Sequence, residues 1–218
     1  ANYSIGRDFG FLRELKIYEN AALTYVGNLS LFAGRMLQIS KNPILKSING
    51  ISLKKGHEVY ITSNAELETI ENCDFSRVDD RIQIKGNAKL RAIDCDGQKW
   101  ANVESIDVSN NDLNDDLWKN LPNDTNHIWK LNIANNEKIT TLPDSLAWSR
   151  IDELKLWGTG LKSVPTVLPY LLELTSLTMG DTCIPVGEYE LFYNIFSPRI
   201  QQINPEPAFY KRGAHCAP

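Results

Sequence analysis

The groups able to do chemistry in this chain are few and scattered. Asp107 and Glu153 come nearest to a carboxylate pair for acid and base work, but they fall in repeat copies two apart. Nothing around them implies the apolar pocket that would set their protonation apart. Asp112, Asp115 and Asp116 supply oxygens of the kind calcium takes without the spacing of a calcium loop, and read as a solvated turn. His57, His127 and His215 are dispersed, and Cys73, Cys95, Cys183 and Cys216 contain no CxxC pair, so zinc has no evident cage. There is no GxSxG, HExxH or glycine-rich phosphate loop. The expectation is a protein that is not an enzyme and uses no metal or cofactor. Its candidate functional groups are those of a binding surface: Trp157 with Lys155, then Tyr60 with Gln83 and Lys85, and beside them Asp107, Asn132 and Tyr18.

What must position these residues is a repeat. LKIYENAALTYV from Leu15, LQISKNPILKSI from Leu37, VYITSNAELETI from Val59 and IQIKGNAKLRAI from Ile82 share one pattern, with starts 22, 22 and 23 residues apart. Each begins with two aliphatics at period 2, which places both on one face of a short strand. An Asn follows at a fixed offset, at positions 20, 42, 64 and 87, where the chain should turn inward. A buried amide carries both donors and an acceptor, so stacked copies can bond the backbone groups freed by neighbouring turns. These residues, continued by Asn111 and Asn136, are predicted to form a structural ladder.

The pattern persists in altered form at IDVSNNDLNDDL from Ile106, LNIANNEKITTL from Leu131, LKLWGTGLKSV from Leu154 and LTMGDTCIPV from Leu177, so about eight coils are predicted. Thr159 and Thr182 stand where the ladder Asn stood. Pro143 and Pro165 follow late aliphatics, and DSLAW and TVLPYLLEL then read as 3₁₀ turns or short helices on the outer side. Residues 1–11 do not fit the repeat and are expected to cover the open end of the core. Residues 12–186 form the stack and 187–218 a C-terminal cap within a single domain, with a helix, or a helix and a strand, limited by Pro198.

Composition narrows the partner. At 218 residues, 42% hydrophobic and 23% charged, the chain can bury one continuous core. A net charge of −4 argues against nucleic acid. No apolar window is long enough to span a membrane. A start at Ala1 suggests a processed piece of a longer precursor. Cys73 lies 14 residues into its copy and Cys95 lies 13 into the next, which makes a bridge between adjacent coils reasonable; Cys183 and Cys216 would pin the cap. Two bridges favour an oxidising compartment, and three sequons, at Asn2, Asn28 and Asn123, agree with a secreted glycoprotein.

The strings LxIxxNxxLxxI and IDVSNNDL resemble leucine-rich repeats over residues 12–186. The first half, with NPILKSING and NAELETIEN, is similar to the receptor L domain, which forms the ligand-binding lobes of insulin-type and EGF-type receptors. The resemblance implies an α/β solenoid: a right-handed coil stack with a parallel sheet on one face and a mixed outer face of strands, 3₁₀ turns and short helices. It also implies a protein or peptide ligand bound through that sheet, at the extracellular face of the plasma membrane or after secretion.

Strand geometry says which residues would meet a ligand. With the aliphatic pairs facing inward, the residues between them form one outward column: Lys16, Gln38, Tyr60, Gln83, Asp107, Asn132, Lys155 and Thr178. Tyr18, Lys85 and Trp157 lie in the next. Trp157 is the expected anchor, because Trp is enriched at binding hot spots. Trp118, Trp129 and Trp148 are expected to fill spaces between coils. A glycan ligand or a purely structural scaffold are the alternative readings.

Overall fold

The repeat strands fall where the aliphatic pairs fall. The computed structural model describes residues 2–4, 8–9, 12–31, 34–53, 55–95, 100–122, 125, 127–196, 202–204 and 216. Its main feature is a nine-stranded parallel sheet, here the long sheet, whose strands follow one another in chain order. They are Glu14–Tyr18, Gly34–Ser40, Gly56–Thr62, Val78–Lys85, Ser105–Asp107, Lys130–Asn132, Glu153–Lys155, Ser176–Thr178 and Gln202–Asn204. The first aliphatic of every copy sits opposite that of the next, from Leu15 and Leu37 through to Leu177 and then Ile203. The chain is thus a parallel β-solenoid of about seven turns. That is close to the count of about eight coils expected from the repeated aliphatic pairs.

One hydrophobic column fills the stack. Leu37, Val59, Ile82, Ile106, Leu131, Leu154 and Leu177 are buried, as are the late aliphatics Leu45, Leu67, Leu90, Leu113, Ile139, Leu161 and Ile184. Burying each such side chain contributes about 1.5–3 kcal/mol, and no coil could hide its apolar face without its neighbours.

The first half closes each turn with a second, six-stranded parallel sheet, here the short sheet. Tyr25–Leu31, Ser47–Leu53, Thr69–Glu71 and Ala92–Asp94 pair in order, while Asn2–Ser4 and Asp8–Phe9 both pair with Tyr25–Leu31. The N-terminal strands therefore extend this sheet at the first coil. In the second half the outer side is instead 3₁₀ helix, at Asp115–Asn120, Asp144–Trp148 and Leu168–Tyr170. A 3₁₀ segment advances about 2.0 Å per residue against about 3.3 Å for a strand, so the same path consumes more residues. The coil with the longest 3₁₀ segment is also the longest, 25 residues between Ile106 and Leu131, while the two that follow take 23. An α-helix, Val186–Phe196, follows the last repeat, and the ninth long-sheet strand comes after it.

Cys73 bonds Cys95 within the short-sheet half, and Cys183 bonds Cys216 at the C-terminal end. The first bridge marks the seam between the halves. There Trp100 is buried with its indole N–H 3.4 Å from Cys95 Sγ, and the Asn120 amide donates to the Ile93 carbonyl at 2.9 Å. No helix among the described residues is long and apolar enough to cross a membrane.

Candidate binding face

The ladder fixes the strand ends that the outer columns follow. Asn64 Oδ1 accepts from both the backbone N–H (3.0 Å) and the amide (3.1 Å) of Asn42, while its own amide donates to Ile39 O at 3.0 Å and Asn87 Oδ1 at 3.2 Å. Asn20 repeats the bonds to Asn42 and Asn87 repeats the backbone bond to Asn111. Beyond Asn111 the ladder changes: Asn136 Oδ1 accepts from Leu113 N–H, and the Thr159 hydroxyl donates to Leu156 O in its own coil. The residue before each ladder position is left-handed in all eight copies, at Glu19, Lys41, Ser63, Gly86, Asn110, Asn135, Gly158 and Asp181. That inward turn keeps the outer columns in one register from coil to coil.

Tyr60, Gln83 and Lys85 come together in a depression of about 510 Å³ on the long sheet, with Met36 and Gln38. The Tyr60 hydroxyl donates to Glu58 at 3.0 Å. Partial burial, then the Glu58 carboxylate, raise its pKa above the ordinary phenol value, so Tyr60 remains a neutral donor at physiological pH. Asp107, Asn132 and Lys155 line a second depression of about 200 Å³, which also borders Gln83. Lys85 reaches Asp107 at 3.1 Å, and Ser109 donates its hydroxyl to the other Asp107 oxygen at 2.6 Å. Glu153 sits between Lys155 at 2.6 Å and Lys130 at 3.1 Å. The Lys155 bond, seconded by Lys130 and opposed by burial, lowers the Glu153 pKa below the usual carboxylate range. Asp107 and Glu153 are thus separate, cation-paired carboxylates, an arrangement suited to holding charged side chains in place.

Tyr18 is exposed on the first strand, beside an end depression lined by Leu15, Ile17 and Leu23 and away from the other candidates. Trp157 is 38% exposed at the margin of the sheet and lines neither central depression. Among the described residues, no group of three or more His, Cys, Asp or Glu could hold a metal ion. Asn28 is exposed on the short sheet; Asn2 lies in a strand whose side chains are outside the description, and Asn123 lies outside the described residues.

No protein-family model and no curated protein matches the chain.

Two groups of residues escape a reading of the sequence. Arg81, Lys130 and Met36 belong to the outward column that precedes each aliphatic pair, and their signal was their offset from the repeat, which treats every outward residue alike. The others are the outer-side aromatics. Trp118 does pack against the core, with its indole N–H donating to Thr141 O. Trp148 and Trp129, expected between coils, are 73% and 48% exposed. Trp148 ends a 3₁₀ turn that buries Leu146 instead, and with Tyr170 and Leu172 it lines an apolar depression of about 560 Å³. Trp129 lies about 5.8 Å under the Arg150 guanidinium, a cation–π contact.

Proposed function

We propose that this chain is an extracellular, right-handed solenoid of leucine-rich-repeat type, its first half akin to a receptor L domain, that binds a protein or peptide through the long sheet. It serves as a receptor ectodomain or as a secreted adaptor or inhibitor. The observation that carries the reading is the outer face itself: in-register polar columns across successive strands, with two adjoining depressions at their centre. Two disulfides fit an oxidising compartment, and Asn28, in one of the three sequons, is exposed on the short sheet. A second reading puts the partner on the outer side, because Trp148, Tyr170 and Leu172 form an exposed apolar cluster.

The test is retention of extracellular proteins on the immobilised chain, set against a glycan array, followed by hydrogen-exchange footprinting of the retained partner. Protection on strands 56–62, 78–85 and 105–107 is the expected result. Protection confined to 144–148 and 168–172 favours the outer side, and retention of glycans alone contradicts a protein ligand. Trp157→Ala is expected to weaken binding about ten-fold, as for a hot-spot aromatic; an unchanged Kd removes it from the interface.

A further inference from the structure

The smaller central depression has a chemistry of its own. Arg81, Lys130 and Lys155 surround it, with Lys85 behind Asp107, in a chain whose net charge is −4. Every oxygen of its two carboxylates is already engaged by a donor of the protein. Asp107 gives one oxygen to Lys85 and the other to Ser109, and Glu153 gives one to Lys155 and the other to Lys130. The cations are in the opposite state. Each lysine carries three donors and each ion pair uses one, so the side chains facing the depression hold a surplus of N–H groups. Asn132 adds to the surplus: its carbonyl oxygen is taken by the Ala134 N–H at 3.1 Å, which leaves the amide NH₂ as the part it can offer.

We propose that this depression receives a carboxylate of the bound partner, so that the ligand of the long sheet is an extended segment carrying an Asp or Glu. The proposal rests on the sheet-face reading given above. A site of about 200 Å³ is below the size of small-molecule pockets and suits a single side chain. The adjoining depression of about 510 Å³, with Met36 and Tyr60 in its lining, takes a larger, apolar residue of the same segment. Their centres lie between two and three strand spacings apart, roughly 12 Å, which an extended chain crosses in about three to four residues. The recognised sequence therefore pairs an acidic residue with an apolar one three to four positions away. Fixed ion pairs pre-orient the lysines, so little side-chain entropy is lost when the carboxylate arrives.

The experiment is a selection of displayed random short peptides on the immobilised chain, followed by titration of enriched peptides, labelled and synthesised singly. Enrichment of an acid three to four positions from an apolar residue is expected. Changing that acid to its amide should weaken binding about ten-fold, as should Lys130→Gln with Lys155→Gln; combining the peptide and protein changes should cost little more than either. Because the peptide substitution leaves the protein untouched, the result stands even where a lysine variant is unstable. Enriched peptides without an acid, or with an acid whose amide binds equally well, overturn the proposal. If those peptides still lose affinity with Tyr60→Ala, the sheet-face reading survives alone. Peptides indifferent to every change on the sheet, or a selection that enriches nothing, overturn both.

Discussion

Residues 14–95 and 100–186 solve one problem by different means. In the first half each turn is closed by two strands, spaced 22 or 23 residues apart, and the amides of Asn42 and Asn64 are each bonded to the coils before and after them. The second half closes its turns with 3₁₀ helix and has threonines at its last two ladder positions, of which Thr159 donates to Leu156 O of its own coil. The long sheet runs through both without interruption. The strand and its inward turn are therefore what the architecture requires. The outer side is free to vary, and in the second half it has acquired exposed Trp148 and Tyr170.

The largest expected effect is at the ladder. Asn64→Ala removes two accepted and two donated bonds at a fully buried position, leaving Asn42 and the Ile39 carbonyl unsatisfied, at a cost of about 3–5 kcal/mol. Thr159→Ala, equally buried, removes the bond to Leu156 O and should cost less, about 1 kcal/mol. Equal losses in denaturant unfolding would erase the distinction between the halves. Next comes the Cys73–Cys95 bridge, which spans 22 residues; replacing both cysteines with serine should cost about 3 kcal/mol. Thiol titration of the unreduced, unfolded chain should find no reactive group, and four reactive groups would contradict both bridges.

Backbone clearance separates the halves a little less. A Cβ on Gly160 would meet the Glu137 carbonyl oxygen of the preceding coil, so Gly160→Ala should cost about 2–3 kcal/mol. Gly86, with φ 67° but its nearest neighbour 3.8 Å away, should lose only the left-handed preference, about 1 kcal/mol. The smallest effect concerns Glu153. A carboxylate whose folded pKa is lowered stabilises the fold above its unfolded value, and that stability is lost as pH falls through the lowered value. Wild type should exceed Glu153→Gln in Tm at about pH 7, and the difference should shrink as the pH falls below the ordinary carboxylate range.

The long sheet was legible because its signal is redundant: two aliphatics and an amide in one phase, copied along the chain. The short sheet was hidden by its own geometry. Val26, Leu29 and Leu31 face the core, but the step from 26 to 29 breaks the period of two, because Asn28 is left-handed at φ 53°. Ile48, Ile51 and Leu53 repeat the break around Gly50. The left-handed column before the ladder could be suspected only at Gly86, Asn110, Asn135 and Gly158, since Glu19, Lys41 and Ser63 carry no such mark. Among the binding candidates, column membership was readable for Tyr60, Gln83, Lys85, Asp107, Asn132 and Lys155. Their ion pairs were not, because which cation meets which carboxylate depends on rotamers across strands.

The ladder can be tested directly by native-state hydrogen exchange at the backbone N–H groups of Asn42, Asn64 and Asn87, each bonded to a side chain of the following coil. The account predicts that all three exchange only through global unfolding, together with the strand amides of Val59 and Ile82. Exchange as fast as that of the exposed turn residues Ala65 and Ala88 would contradict it, and with it the register on which the binding face depends.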